Sequence, residues 1–109
     1  MTNLLTQTEE MIMVTVWSFQ NSAYCVPIRN HLNKISKKEW SLGAVYDSLE
    51  RLERKGYLMS NMSEPSGERG GRSKRLFKLT AAGKKTLVQI RRIQETLWMG
   101  IEDLEKESR

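Results

Sequence analysis

The sequence has 109 residues, of which 39% are apolar and 28% are charged, and its formal net charge is +5. A chain of this length forms one domain and buries roughly two-thirds of its unfolded surface. It has no apolar run near the ~20 residues of a membrane span, and no cationic stretch precedes an apolar run, so neither membrane insertion nor a secretory signal is expected. Cys25 is the only cysteine and cannot form an intrachain disulfide, which favours a reducing cytoplasm.

The charge is distributed unevenly along the chain. Residues 69–94 contain nine basic residues and no acidic one, whereas the rest of the chain contains nine basic and 13 acidic residues. A concentrated basic segment indicates a polyanionic partner such as nucleic acid, although a solvated basic face explains many charge runs equally well.

Two helices are predicted in the N-terminal part of the chain. The first begins with a capping-box pattern, Thr6 followed by Glu9, and its apolar residues lie all round the helix, which predicts burial in the centre of the domain. A second helix is expected over about residues 26–37, where Pro27 is tolerated in the first turn and Ile28, Leu32 and Ile35 form the core stripe.

A third helix is predicted over about residues 41–55. Ser41 is a favourable N-cap, apolar residues recur at helical spacing up to Leu52, and Gly56 suits a left-handed C-cap. Small residues at the start of its opposite face would let the helix approach the floor of a DNA groove. The candidate DNA contacts on this helix are Ser41, Gly43, Ala44, Tyr46, Asp47 and Arg51. Asp47 either accepts a hydrogen bond from a cytosine amino group or only stabilises the helix N-terminus.

A two-stranded hairpin is predicted over about residues 57–79. Its connecting loop is rich in glycine, serine and charge, and it does not match a phosphate-binding loop because no Gly-Lys-Ser/Thr occurs and a strand follows. Arg69, Arg72, Lys74 and Arg75 are the candidate contacts to phosphates or to a minor groove. This order of elements predicts a winged helix-turn-helix in residues 1–79, with the hairpin as the wing, in a mainly α fold with a two-stranded sheet.

Residues 80–109 are predicted to form one C-terminal helix for dimerisation. Apolar residues there follow the alternating steps of three and four that form a helix–helix seam. The candidate interface residues are Leu87, Ile90, Ile93, Leu97, Trp98, Ile101 and Leu104. A two-fold dimer suits a palindromic DNA operator with half-sites ~34 Å apart.

The segments SLGAVYDSLERLERKGYL and RGGRSKRLFKLTAAG, which follow AYCVPI, resemble the PadR family of bacterial transcriptional regulators over roughly residues 8–105. The resemblance implies a winged helix-turn-helix with a family tyrosine at Tyr46, a C-terminal dimerisation helix, and repression of the protein's own gene or a neighbouring one. Cys25 departs from the pattern, since the family commonly has glycine there.

Some PadR-like proteins hold planar hydrophobic compounds between tryptophans. By this resemblance Trp98 and Trp17 are candidate contacts for a small hydrophobic effector, or else they simply pack in the interface.

The sequence provides no basis for catalysis, a metal site or a cofactor. His31 and Cys25, the only residues of their types, are six positions apart on one helix and point about 240° apart, so they cannot serve one substrate. His31 is expected to be a surface residue or a phosphate contact. Two functions remain: a dimeric, sequence-specific DNA-binding repressor, or a winged-helix interaction module that docks an acidic partner protein.

Overall fold

The computed structural model describes residues 5–63 and 73–108. The elements in chain order are α1 (Gln7–Phe19), α2 (Cys25–Ser36), α3 (Leu42–Arg54), β1 (Leu58–Met62), β2 (Arg75–Leu79), α4 (Ala81–Leu97) and α5 (Ile101–Glu107). A 3-10 turn over Gln20–Ser22 joins α1 to α2. The predicted fold class, mainly α with a two-stranded sheet, is confirmed. Within the described ranges no helix combines the length and the apolar composition needed to cross a membrane.

The starts of three helices follow from their capping residues. The Thr6 hydroxyl accepts from the Glu9 amide, and the Glu9 carboxylate accepts from the Thr6 amide, which completes the predicted capping box. Ser41 caps α3 by accepting from the Ala44 amide at 3.0 Å, as predicted. Thr80 caps α4 in the same way. These side chains satisfy amides that a helix leaves without partners in its first turn.

An ion pair links the start of α1 to the end of α3. The buried Glu9 carboxylate lies 2.6 Å from Nζ of Lys55, which follows the last residue of α3. Burial raises the pKa of Glu9, but the hydrogen bonds from Lys55 and Thr6 and the lysine charge outweigh burial, so the pKa lies below its ordinary value. Glu9 is therefore charged in the folded protein at neutral pH, and it holds α3 against α1.

The core lies between α1, α2, α3 and the inner face of the sheet. Its buried apolar side chains include Ile12, Met13, Val16, Ile28, Leu32, Val45, Leu49, Leu52, Leu58 and Phe77. The expectation that α1 is buried all round is wrong, because Val14 and Trp17 are 48% and 51% exposed. Ile35 is also exposed, since α2 ends one residue later and leaves that position outside the core.

Strands β1 and β2 pair antiparallel, with Ser60 opposite Phe77 and Met62 opposite Arg75. Because side chains alternate along a strand, Arg75, Phe77 and Leu79 share the face of the sheet that packs on the core. A further backbone hydrogen bond, 2.8 Å from the Phe77 amide to the Ala23 carbonyl, fixes β2 beside the connection between α1 and α2. The wing is therefore joined to the helices at its base by both apolar packing and backbone hydrogen bonds.

The start of α4 packs tightly against the residue before β1. Thr80 donates from its amide to the Tyr57 carbonyl and from its hydroxyl to the Gly56 carbonyl. Gly83 lies so close that a Cβ atom there would overlap the Tyr57 carbonyl. Glycine is required at position 83 because the backbone of Tyr57 occupies the space of a side chain.

The prediction of one helix over residues 80–109 is wrong. The α4 helix ends at Leu97, and α5 begins at Ile101 after a break at which Gly100 has a φ of +84°. Glycine adopts this left-handed conformation without steric cost, so the chain turns there. The predicted seam therefore does not lie on one straight helix.

Replacing Gly83 with alanine should destabilise the fold by about 1–3 kcal/mol, because the methyl group overlaps the Tyr57 carbonyl. Urea unfolding monitored by circular dichroism measures the change. Gly43→Ala is the matched control, since a Cβ at Gly43 meets no atom within 4 Å. Equal free energies of unfolding for Gly83→Ala and the wild type would contradict the close contact.

Candidate nucleic-acid interface

One side of α3 is exposed and carries the side chains predicted to contact DNA. Val45, Leu49 and Leu52 are buried, whereas the opposite face is open to solvent. The exposed candidates are Ser41, Gly43, Ala44, Tyr46, Asp47 and Arg51. The face begins with side chains no larger than a methyl group at Gly43 and Ala44, so the first turn of α3 has an accessible backbone.

The predicted basic side chains of the wing do not form one group. Arg69 and Arg72 lie outside the described residues. Lys74 and Lys78 are exposed, whereas Arg75 is half-buried on the opposite face of the sheet. Lys74 lies against α2, with its Nζ 3.2 Å from the Tyr24 hydroxyl and 4.5 Å from the centre of that ring.

Arg75 forms a hydrogen-bonded cluster with α3 and β1. Its Nη2 donates to Glu53 at 2.6 Å, and its Nη1 donates to Glu50 at 3.0 Å and to the Tyr46 hydroxyl at 2.7 Å. Its Nε donates to the Ser60 hydroxyl at 3.1 Å, and Ser60 donates in turn to Glu53. Solvent screening of these partly exposed carboxylates reduces the contribution of the ion pairs to stability.

The cluster changes the electrostatics of the exposed face of α3, which we call the reading face. Hydrogen bonding to Glu50 is the main reason why the pKa of Arg75 is raised, and the same bond lowers the pKa of Glu50. Both groups are therefore charged at neutral pH. Glu50, which would otherwise repel a phosphate backbone, has its charge compensated by Arg75.

Cys25 and His31 both contact neighbouring elements of the fold. Cys25 is the first residue of α2, and its thiol lies 3.5 Å from the Leu42 carbonyl at the start of α3. Burial raises the pKa of the Cys25 thiol, although the charge of Arg29 acts in the opposite direction. Because Cys25 does not have a positive φ, its backbone does not require the glycine common in the family. His31 packs edge-on against Phe19, with 5.3 Å between ring centres.

No cluster of metal-binding side chains occurs within residues 5–63 and 73–108.

A groove of about 530 Å³ runs between α1 and α4. Its apolar lining includes Val14, Trp17, Leu87, Val88 and Ile90, and its rim carries Glu10, Lys84, Arg91 and Gln94. The Lys84 ammonium lies 5.4 Å from the centre of the Trp17 ring. Trp98 does not line the groove, so the two tryptophans predicted as ligand contacts are not brought together within one chain.

The predicted interface residues of the C-terminal part also separate into two sets. Ile90 is buried in the chain's own core and Leu87 is half-buried beside it. In contrast, every residue from 91 to 100 is exposed, including Leu97 at 74% and Met99 at 78%. The second half of α4 therefore projects beyond the core.

The sequence profile described as "Transcriptional regulator PadR-like family" matches residues 16–89. The chain belongs to this family. PadR-like membership confirms the expected resemblance, supports a DNA-binding transcriptional regulator, and agrees with the prediction that the chain is not an enzyme.

Solved structures of PadR-like proteins have the same fold. A PadR-like transcription factor from Bacteroides fragilis has a TM-score of 0.67 and 22% identity, over 88% of this chain and 87% of that one. A PadR family regulator from Clostridium difficile has a TM-score of 0.60 and 23% identity, over 91% and 95%. One from Eggerthella lenta has a TM-score of 0.65 and 19% identity, over 86% and 80%. Among curated sequences no significant match was found.

The position of Arg75 was missed because sequence reasoning placed the residue in the loop. The signal that could have found it is the alternation Arg75, Phe77, Leu79, which predicts that all three side chains face the core once the strand is extended by one residue. The same alternation places Lys78 on the outer face.

Proposed function

We propose that this PadR-like chain is a dimeric, sequence-specific repressor in the bacterial cytoplasm that binds a palindromic operator of its own or a neighbouring operon. In this proposal α3 enters the major groove with its first turns, and the wing lies on the phosphate backbone or in the minor groove. The observation that carries the proposal is the exposed start of α3, where Gly43 and Ala44 leave room for base edges beside Tyr46 and Asp47.

The charges of the described residues support a division between affinity and specificity. On α3 the acidic residues Asp47, Glu50 and Glu53 are matched in number by Arg51, Arg54 and, from the wing, Arg75. Because the charges of this face balance, we expect most of the affinity for phosphates to come from cations outside it. Lys74 and Lys78 are exposed on the side of the wing opposite Arg75, and Arg69 and Arg72 remain predicted contacts.

Ala44→Glu should lower specific DNA binding at least about tenfold, because a longer, charged side chain would lie at the groove floor. Ala82→Glu is the matched control, since Ala82 is also exposed in the first turn of a helix. An electrophoretic mobility assay on the region upstream of the gene measures both variants against random DNA. Binding without sequence preference, or no binding at low salt, would instead favour the interaction module that docks an acidic protein.

The salt dependence of the same assay tests the wing cations. Each phosphate that is neutralised contributes about −0.9 to the slope of log affinity against log salt concentration. Lys74→Gln and Lys78→Gln should each flatten the slope by about that amount per protomer, while the preference for the operator is retained. An unchanged slope in both variants would remove the lysines from the proposed interface.

Dimerisation through residues 80–109 is proposed from the apolar residues that the chain leaves uncovered. Ile93 and Leu97 are exposed on the same side of α4, Trp98 is exposed directly after this helix, and Leu104 is exposed on α5. A soluble monomer rarely exposes a contiguous apolar patch of this kind. A second copy related by a two-fold axis would cover the projecting half of α4 and align two α3 helices with two half-sites.

Leu97→Glu should convert the protein from twice the 12.7 kDa chain mass to a monomer, because the glutamate would be desolvated in the proposed interface. Sedimentation equilibrium measures the mass. Ile35→Glu is the control, since Ile35 is similarly exposed but lies on α2. A dimer that survives Leu97→Glu would place the interface elsewhere.

A small hydrophobic effector is proposed to bind in the groove between α1 and α4. The volume of this groove lies in the range of ligand sites, and Trp17 presents a half-exposed ring to it. Within one chain, Trp17 is the tryptophan that would contact the effector. Trp98 would contribute only if a second copy of the chain brings it near the groove.

A planar dye should quench tryptophan fluorescence, and Trp17→Phe should weaken dye binding about tenfold because Trp17 is the largest side chain that lines the groove. Trp98→Phe serves as the comparison and reports whether the partner's side chain takes part. If the dye leaves emission unchanged in the wild type, the tryptophans act only in packing.

A further inference from the structure

We infer that Arg75 is a positioning residue for DNA recognition, which fixes the Tyr46 hydroxyl and the wing on α3 and does not contact phosphate itself. This inference rests on the proposed function, because it requires that the face of α3 reads DNA. The sequence predicted that Arg75 contacts phosphates or a minor groove, whereas its hydrogen bonds to α3 and β1 indicate that it holds other residues in place.

The guanidinium group has little remaining capacity to bind a phosphate. All three of its nitrogens donate within the protein, to Ser60, Tyr46, Glu50 and Glu53, at distances between 2.6 and 3.1 Å. A phosphate would have to displace the carboxylates of Glu50 and Glu53, which are also negatively charged and are already bonded to Arg75. Lys74 and Lys78 offer ammonium groups with no carboxylate partner in the described residues, so they are the better phosphate contacts.

The guanidinium group also lies close to two aromatic rings. The guanidinium carbon lies 5.0 Å from the centre of the Phe77 ring and 5.6 Å from the centre of the Tyr46 ring. Phe77 is buried and belongs to the core, so it provides a rigid support on the same strand. Hydrogen bonds from all three nitrogens and the neighbouring Phe77 ring therefore restrict the orientation of the guanidinium group.

The consequence for recognition is a fixed Tyr46. Its ring lies at the edge of the exposed face of α3, and its hydroxyl accepts from Nη1 of Arg75 at 2.7 Å. Without this bond the ring would be free to rotate about its side-chain torsions at the position where a base or sugar must fit. A contact residue discriminates between partners best when neighbouring residues hold its conformation.

Arg75→Lys separates the two interpretations because it keeps the charge and removes the fork of donors. We expect the affinity for the operator to fall about tenfold, while the affinity for random DNA and the salt slope stay as in the wild type. Wild-type behaviour of the lysine variant, or an equal loss on both DNAs, would overturn the inference, because charge alone would then account for the role of Arg75. Lys78→Gln is the control for a phosphate contact, with a flatter salt slope and retained preference.

A double-mutant cycle tests whether Arg75 acts through the Tyr46 hydroxyl. Tyr46→Phe combined with Arg75→Lys should lose no more specificity than Arg75→Lys alone, because both changes break the same bond. Additive losses would overturn the mechanism. Thermal unfolding of all four proteins confirms that the variants are folded at the assay temperature.

The unfolding free energies of the same four proteins provide a second cycle that does not depend on DNA. Coupling between positions 46 and 75 in this cycle supports the contact, and additive unfolding free energies would overturn it. If the wild type does not prefer an operator, the proposed function fails, and this second cycle still decides whether Arg75 fixes Tyr46. The two failures are therefore distinguishable.

Discussion

The attachment of the wing to α3 is the constraint on which the rest of the interface depends. An isolated two-stranded hairpin is at best marginally stable in water. Here Leu58, Phe77 and Leu79 anchor the base of the sheet in the core, and Arg75 bonds its far end to Glu50 and Glu53. Because β2 is fixed at both ends, the exposed side chains of the wing and of α3 hold a defined spacing, which a surface that reads a rigid duplex requires.

This attachment also explains how a helix with three acidic residues can face a polyanion. Glu50 and Glu53 are paired with Arg75. Asp47 lies beyond the first turn of α3, where the helix dipole has little effect, and its charge is balanced by Arg51 one turn further along the same helix. The reading face is thus close to neutral and suited to discrimination. The same strand also reaches the groove, since Leu79 lines it four residues after Arg75. One strand therefore touches the proposed effector site, the core and the reading helix.

Much of the fold could be predicted from the sequence, because its local signals agree with the final packing. Ser41 and Thr6 marked helix starts through side chains that bond amides three residues on, and Gly56 marked the end of α3 with a positive φ. Three features were missed for physical reasons. Gly100 divides the C-terminal helix, although its apolar spacing continues across the break. The exposed side of Trp17 and the partners of Arg75 depend on contacts between distant segments, which periodicity within one segment does not encode.

We infer that Arg75 holds the wing and Tyr46 on α3 in the complex with DNA. A crystal structure of the protein bound to a DNA fragment that it selects tests this claim most directly. We expect the Arg75 guanidinium to remain within hydrogen-bond distance of Glu53 and Tyr46, as it is in the free chain, and the ammonium groups of Lys74 or Lys78 to lie on phosphates. An Arg75 guanidinium bonded to a phosphate, with Glu50 and Glu53 released, would contradict it.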